Sequence, residues 1–416
     1  MPFASLGLSP VLVRAVNERH YTEPTAIQAA AIPAILQGRD VLGAAQTGSG
    51  KTAAFALPIL QRYLAQGRET PRRVQALILV PTRELAAQVG ETLRGLAQYL
   101  PQPLKVAVLF GGVSINPQMM GLRGGADMVV ATPGRLLDLI EHNALRLSTV
   151  STLVLDEADR LLDLGFADEL ARILALLPQQ RQNLLFSATF PADVHALVEH
   201  LLRDPIRVEM ASTPETQPDI VQRAIEVAAD KRTQLLRHLV QAHPTERMLV
   251  FVASKYAVEL VVHKLCKAGI HAGPFHGELS QGTRTLVLSE FKAHRLQVVV
   301  ATDVAARGLD IRQLPVVVNY DLPRSPVDYL HRIGRTGRAG ESGLAISFVP
   351  PESEAHFRLI EKRQNLRVPR ERIEGFEPTQ ASAVTASLTD PDSNGGIKGK
   401  RKSKKDKLRE AAARGI

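Results

Sequence analysis

From Leu12 onward, short β-branched and aliphatic runs alternate with longer amphipathic stretches, the succession that strands and helices make in a parallel α/β sheet. The runs predict strands at Val41 to Ala44, Gln75 to Val80, Val106 to Phe110, Met128 to Ala131, Thr152 to Leu155 and Asn183 to Ser187. A helix is expected near Ala192 to Leu202, and the polar segment Ser212-Thr213-Pro214-Glu215-Thr216-Gln217-Pro218 then reads as a linker. The alternation begins again with Met248 to Val252, Gln297 to Ala301, Val316 to Tyr320 and Gly343 to Val349, separated by helical patterns such as Tyr256 to Ala268. Beyond about Pro369 the apolar periodicity fades. The chain therefore divides into an α/β domain over 1–210, a linker over 211–218, a second α/β domain over 219–368, and a disordered basic tail over 369–416 that cannot bury enough surface to fold alone.

Length agrees with that division, because 416 residues exceed what one hydrophobic core usually fills. No apolar stretch approaches the roughly 20 residues of a membrane span, and the start Met1-Pro2-Phe3-Ala4-Ser5 lacks the pattern of a secretory signal. A soluble, cytoplasmic protein without a membrane partner is expected. The single cysteine, Cys266, has no partner for an intrachain disulfide and is expected in the core, and no Cys/His cluster has zinc-ligand spacing. The formal charge of +9 favours a polyanionic partner, and it is unevenly spread. Residues 378 to 416 hold nine Lys/Arg against four Asp/Glu, giving +5 and leaving +4 for the rest of the chain. Clustered lysines such as Lys398 to Lys405 suit a flexible, sequence-indifferent tether to such a polyanion, with a merely solubilising tail as the alternative.

The sharpest local signal is Ala45-Gln46-Thr47-Gly48-Ser49-Gly50-Lys51-Thr52, between a predicted strand and the helical run Ala53 to Gln61. Glycines there let backbone N–H groups turn toward phosphate oxygens, and a helix N-terminus adds partial positive charge. Lys51 would reach the β/γ-phosphates of a nucleotide and Thr52 would bind Mg²⁺, although Ala45 stands where the general motif has its first glycine. A metal beside a triphosphate needs a carboxylate at the end of a neighbouring strand, which Asp156-Glu157 after Leu153-Val154-Leu155 supplies. Asp156 is the expected metal ligand, and Glu157 the group that orients and deprotonates the attacking water. Farther along, His331-Arg332-Ile333-Gly334-Arg335-Thr336-Gly337-Arg338 sets Arg335 and Arg338 three residues apart, able to converge on phosphate unless the segment is only a solvated basic face.

These motifs, in this order over about residues 3 to 350, resemble the DEAD-box ATP-dependent RNA helicases, with the flavour of the bacterial RhlE-like subgroup. The resemblance implies two tandem RecA-like domains, each a mainly parallel sheet flanked by helices. It implies RNA-stimulated ATP hydrolysis with ATP as substrate and Mg²⁺, and local unwinding of RNA held largely by its backbone. Tyr21-Thr22-Glu23-Pro24-Thr25-Ala26-Ile27-Gln28 resembles the adenine-recognition motif, with Phe3 as its upstream aromatic and His20-Tyr21 where the family usually has Gly-Phe. Pro81-Thr82-Arg83-Glu84-Leu85, Gly111-Gly112 and Thr132-Pro133-Gly134-Arg135 resemble RNA-contacting loops, with Pro81, Thr82 and Arg83 the implied contacts of the first, and each would otherwise be a loop with a helix cap. Asp159, Ser187, Thr189 and His331 are implied to couple hydrolysis to strand separation, the Ser187 and Thr189 hydroxyls serving equally well as helix caps. In the second domain Gln281, Arg284 and Thr302 are implied RNA contacts, Asp310 a ribose ligand, and Arg335 and Arg338 arginine fingers. Glu278 departs mildly from the Asp more usual there. The motifs leave open an ATP-gated RNA clamp that separates little duplex and, more remotely, a DNA translocase; protein partners are not legible.

Overall fold

The structure, a computed structural model, describes residues 2–44, 49–67, 69–209, 220–306, 314–337 and 342–378. The first domain is built on strands β1 (Val41–Ala44), β2 (Ala76–Leu79), β3 (Val106–Leu109), β4 (Met128–Ala131), β5 (Thr152–Leu155), β6 (Gln182–Ser187) and β7 (Ile206–Glu209). They lie in the order β3-β4-β2-β5-β6-β1-β7. The second domain uses β8 (Ile220–Glu226), β9 (Met248–Phe251), β10 (Ala272–Phe275), β11 (Val298–Ala301), β12 (Val316–Asn319), β13 (Gly343–Val349) and β14 (Arg370–Arg372). Their order, β10-β11-β9-β12-β13-β8-β14, is the same permutation, and every pairing in both sheets is parallel. The expected α/β class and its two-domain form are therefore present. Parallel strands aim all their C-terminal ends at one edge of the sheet, and the loops leaving that edge are where ligands bind in open α/β sheets.

No predicted strand is displaced by more than one residue at either end. Those strands are covered by helices on both faces, so β2, β4, β5, β9, β11 and β12 are buried along their whole length and read as apolar runs. Four strands escape the pattern: β7, β8, β10 and β14. β7, β10 and β14 are edge strands, where polar residues, Gly273 and Pro274 are tolerated because one side of the strand makes no ladder. β14 also extends the second domain past Val368. Arg223 pairs with Glu371 at 2.6 Å, Arg370 pairs with Glu361 at 2.8 Å, and Ile373 and Phe376 pack on the core. Cys266, expected inside, is exposed on the helix Lys255–Lys267.

In the first domain the segment before β1 completes one face of the core. Helix Ala26–Leu36 is apolar on nearly every side, with Ile27 and Ile32 fully buried and Thr25 as its N-cap. Gly43 on β1 faces the ring of Phe186, and a Cβ there would lie 2.4 Å from it, so only glycine lets β1 and β6 keep this packing. Phe186 in turn meets Phe55 of the helix Lys51–Gln66 at 5.5 Å between ring centroids, which seats the N-terminus of that helix at the sheet edge. Among the described residues no helix is long and apolar enough to cross a membrane.

Candidate active site

Because β6 lies between β5 and β1, the acidic run after β5, Ser187 at the end of β6 and the helix that follows β1 converge at one place on the sheet edge. Of the phosphate-loop residues, Ser49, Gly50, Lys51 and Thr52 are described; Ala45, Gln46, Thr47 and Gly48 lie outside the described residues. Gly50 caps the helix Lys51–Gln66 with φ +94°, a left-handed conformation that suits glycine. Lys51 is buried, its Nζ 4.0 Å from Asp156 Oδ1 and without a hydrogen-bond partner among the described residues. A buried ammonium short of acceptors beside a helix N-terminus fits an anionic phosphate.

Asp156 is 2% exposed, and burial pushes its carboxyl up to about 6 against the opposing pull of Lys51. Its Oδ1 accepts the Glu157 backbone N–H at 3.0 Å. Glu157 takes a left-handed backbone, φ 54° and ψ 52°, which costs a non-glycine residue about 1–3 kcal/mol and persists only where its surroundings hold it. Here Arg160 holds it, Nη1–H donating to Glu157 Oε2 at 3.0 Å. Burial works against the Glu157 charge, but Arg160, Lys51 and Arg335 outweigh it and keep the carboxyl below its ordinary value. Glu157 therefore stays ionised. Among the described residues no three His, Cys, Asp or Glu side chains form a metal cage. One carboxylate, Asp156, facing Lys51 at the head of the helix that carries Thr52, suits Mg²⁺, which typically shares its shell with substrate phosphates and water.

Asp159 is satisfied by the segment after β6. Its Oδ2 accepts from Thr189 N–H at 3.0 Å and from Thr189 Oγ1 at 2.7 Å, while its own N–H donates to Ser187 Oγ at 3.3 Å. The acidic run and the Ser187 motif are thus one hydrogen-bonded unit. The second domain reaches it through the helix Pro326–Ile333. Arg160 Nε–H donates to His331 Nδ1 at 3.1 Å, and His331 is pushed down to about 4, by burial first and Arg160 next. Arg335 is 5% exposed and close enough to Glu157 to stabilise its charge. Arg338 and Asp310 lie outside the described residues.

Gln28 has its amide engaged at both ends. Its Oε1 accepts Thr25 N–H at 3.0 Å as half of a capping box, and its Nε2–H donates to the Gly50 carbonyl at 3.1 Å. It joins the base-recognition segment to the phosphate loop, while Tyr21 packs half-buried on the core and Phe3 is buried in it.

The expected RNA loops leave β2, β3 and β4, adjacent strands on the half of the sheet away from β1. Arg83 lies against Gly112, whose Cα face a Cβ would block at 2.6 Å from the guanidinium, so these two loops touch. Thr82 Oγ1 accepts Leu85 N–H at 3.3 Å, a helix cap, with Pro81 ahead of it buried. Arg135 is buried, Nη2–H donating to Val113 O at 2.7 Å, and braces the Gly111-Gly112 loop against the helix that opens with Pro133 and Gly134 after Thr132. Gln281 heads the helix Gln281–Lys292 and Thr302 follows β11, at the corresponding edge of the second sheet. Arg284 departs from expectation: it is buried and ion-paired with Glu84 of the first domain. Sequence reasoning passed over Arg160, and it placed Glu84 and Arg332 within motifs without giving either a role of its own. Arg332 turns inward to a bidentate pair with Asp303 at 2.6 and 2.7 Å and stacks over Phe251.

Residues 25–197 match the family model of the DEAD/DEAH box helicases, and residues 230–340 that of the helicase conserved C-terminal domain. The ATP-dependent RNA helicase DeaD of Mycobacterium tuberculosis is 44% identical over 366 residues, which cover 88% of this chain and 64% of that protein. The chain thus spans less than two thirds of the mycobacterial relative. The DEAD-box ATP-dependent RNA helicase CshA of Bacillus subtilis is 38% identical over 94% of this chain and 80% of its own length. Among solved structures, S. cerevisiae Dbp5 bound to RNA and ADP BeF3 superimposes with a TM-score of 0.79 at 30% identity, covering 89% of this chain and 95% of that one. The relatives carry the names DeaD and CshA, so the RhlE-like flavour rests on the sequence resemblance alone.

Proposed function

The chain belongs to the DEAD/DEAH box helicase family, and on that premise we propose that it hydrolyses ATP in an RNA-stimulated manner and locally unwinds or remodels RNA. The observation that carries the reading is the position of Glu157, an ionised carboxylate surrounded by Lys51 and Arg160 of one domain and Arg335 of the other. A water-activating carboxylate matched with cations from two bodies is complete only when those bodies are together. Hydrolysis in this reading depends on closure of the cleft.

In this reading Lys51 and the helix N-terminus bind the β/γ-phosphates, Tyr21 and Gln28 recognise the base, and Thr52 and Asp156 hold Mg²⁺. When bound, the metal would neutralise phosphate charge that develops during transfer. Glu157 orients the attacking water and accepts its proton, Arg335 stabilises charge on the transferring phosphoryl group, and Arg338 is proposed to join it. Asp159, Ser187, Thr189 and His331 couple these events to closure. RNA lies across the loops after β2, β3 and β4 and those after β10 and β11, contacted through phosphates and sugars. ATP and RNA both prefer the closed form, so each strengthens binding of the other. The work is assigned to the cytoplasm, where both substrates are abundant.

The test is ATP hydrolysis by the purified full chain with RNA and with DNA of identical sequence, alongside displacement of a short RNA duplex. RNA-selective stimulation with displacement is expected. Equal stimulation by DNA would overturn the RNA assignment, and slow RNA release without displacement would replace unwinding by clamping.

A further inference from the structure

Arg160 directly follows the acidic run and is 2% exposed, yet it serves two partners in different domains. Its Nη1–H donates to Glu157 Oε2 at 3.0 Å, three residues away in sequence. Its opposite edge faces His331, 171 residues away, where Nε–H and Nη2–H converge on Nδ1. Two donors on one ring nitrogen fix that nitrogen as an acceptor, which places the proton of a neutral imidazole on Nε2.

We propose that Arg160 is a positioning residue that transmits closure of the two domains to Glu157. The guanidinium is a rigid plane with donors in a fixed fork, so constraining its Nε/Nη2 edge also fixes where Nη1 points. With His331 in place, both edges are anchored and the Glu157 carboxylate is held through Oε2. When the second domain withdraws, the His331 edge loses its acceptor, the plane is free to turn, and Glu157 loses its fixed orientation. His331 sits on the helix Pro326–Ile333 and Arg335 two residues beyond that helix, so one rigid segment delivers both. The motion that brings the phosphate-stabilising arginine also sets the water-activating carboxylate, and hydrolysis without closure is suppressed twice.

The inference rests on the proposed ATPase reading and adds a role for a residue outside the phosphate, metal and water contacts. Arg160→Lys keeps the charge beside Glu157, but one ammonium cannot serve both anchors. His331→Ala removes the far anchor alone. Steady-state hydrolysis at saturating RNA is measured for the wild-type chain, both variants and the double variant, with thermal unfolding followed in parallel. Misplacing a reacting group by about 1 Å costs on the order of 100-fold. Each single variant is therefore expected to lose about 10- to 100-fold in kcat with KM for ATP little changed. The double variant is expected to be no slower than the slower single one, because both break the same linkage. Arg160→Lys should unfold at the wild-type temperature. Wild-type kcat in Arg160→Lys, losses that multiply in the double variant, or an effect confined to KM would overturn the inference. A wild-type chain without RNA-stimulated hydrolysis would instead overturn the proposed function itself.

Discussion

Glu84 and Arg284 form an ion pair across the domain cleft, Oε1 to Nη2 at 2.9 Å, with their side chains only 8% and 4% exposed. Glu84 lies in the first turn of the helix Arg83–Leu96, and Arg284 on the helix Gln281–Lys292, where it also stacks on Phe275 at 4.8 Å. Burial lowers the pKa of Arg284, and Glu84 opposes that shift. Both residues adjoin loops assigned to RNA, so this pair joins the domains on the RNA side while Arg160 and His331 join them on the nucleotide side.

Glu84→Gln keeps the shape of the contact and leaves Arg284 buried without its counter-charge. Truncating one partner of a buried charge pair costs about 2 kcal/mol or more, about thirtyfold in an equilibrium. RNA affinity in the presence of a nonhydrolysable ATP analogue should fall by at least that factor, read by fluorescence anisotropy of a labelled single strand. Nucleotide binding without RNA should be retained. An unchanged RNA affinity would remove the pair from the closing interface.

Glu157→Gln preserves size and hydrogen bonding but cannot accept the proton of the attacking water. General-base catalysis contributes about 10²- to 10⁴-fold, and kcat should drop by that order while ATP still binds. Arg335→Ala removes the charge that arrives from the second domain, and turnover should be lost to a similar degree with folding intact. Ordinary RNA-stimulated rates in either purified variant would refute the assigned roles.

The central strands were legible because a parallel strand buried on both faces has no polar side to hide, as in Thr152–Leu155 and Val298–Ala301. Ala272–Phe275 was not, since an edge strand admits Gly273 and Pro274, nor was Arg370–Arg372, which is held by ion pairs to Glu226, Glu354 and Glu361 rather than by apolar burial. The site divides in the same way. Lys51, Asp156 and Glu157 declare themselves because their chemistry depends on neighbours in sequence. Arg160 gains its His331 partner and Glu84 its Arg284 partner only when the domains meet, and a spacing of 171 residues to His331 leaves no periodic trace. Gln28 was assigned to adenine by resemblance, and its amide is tied to Thr25 and Gly50, partners 3 and 22 residues away.

The basic segment beyond residue 378 lies outside the described residues, and its charge supports a prediction from sequence alone. Deleting residues 379–416 removes the +5 that the segment from 378 carries. Salt dependence of nucleic-acid binding scales with the phosphates neutralised, so RNA affinity should weaken and its salt slope flatten. ATP hydrolysis at saturating RNA should be unchanged, because the phosphate, metal and arginine groups all precede residue 379. A salt slope equal to that of the full chain would leave the tail only a solubilising role.

His331 gives the closed cleft a pH dependence whose sign follows from its surroundings. Burial, then Arg160 and Arg335, push it down to about 4 against the pull of Asp159 and Glu157, from the 6.5 of an ordinary imidazole. In the open cleft the ring regains solvent and returns toward 6.5. A group whose pKa is depressed in one state stabilises that state above the higher pKa and loses the contribution as pH falls through toward the lower. Closure is thus fully favoured above 6.5 and weakens below it, because the open form takes up a proton that the closed form refuses. At about pH 5.5 the penalty is about tenfold. Asp156, pushed up to about 6, titrates in the same range and alters nucleotide binding, so wild type alone is not decisive. RNA affinity with the ATP analogue should be measured at about pH 7.5 and 5.5 for the wild-type chain and for His331→Ala. The wild type is expected to lose about tenfold more than the variant across that interval. Parallel losses in the two proteins would assign the pH dependence to Asp156 and leave His331 neutral in both states of the cleft.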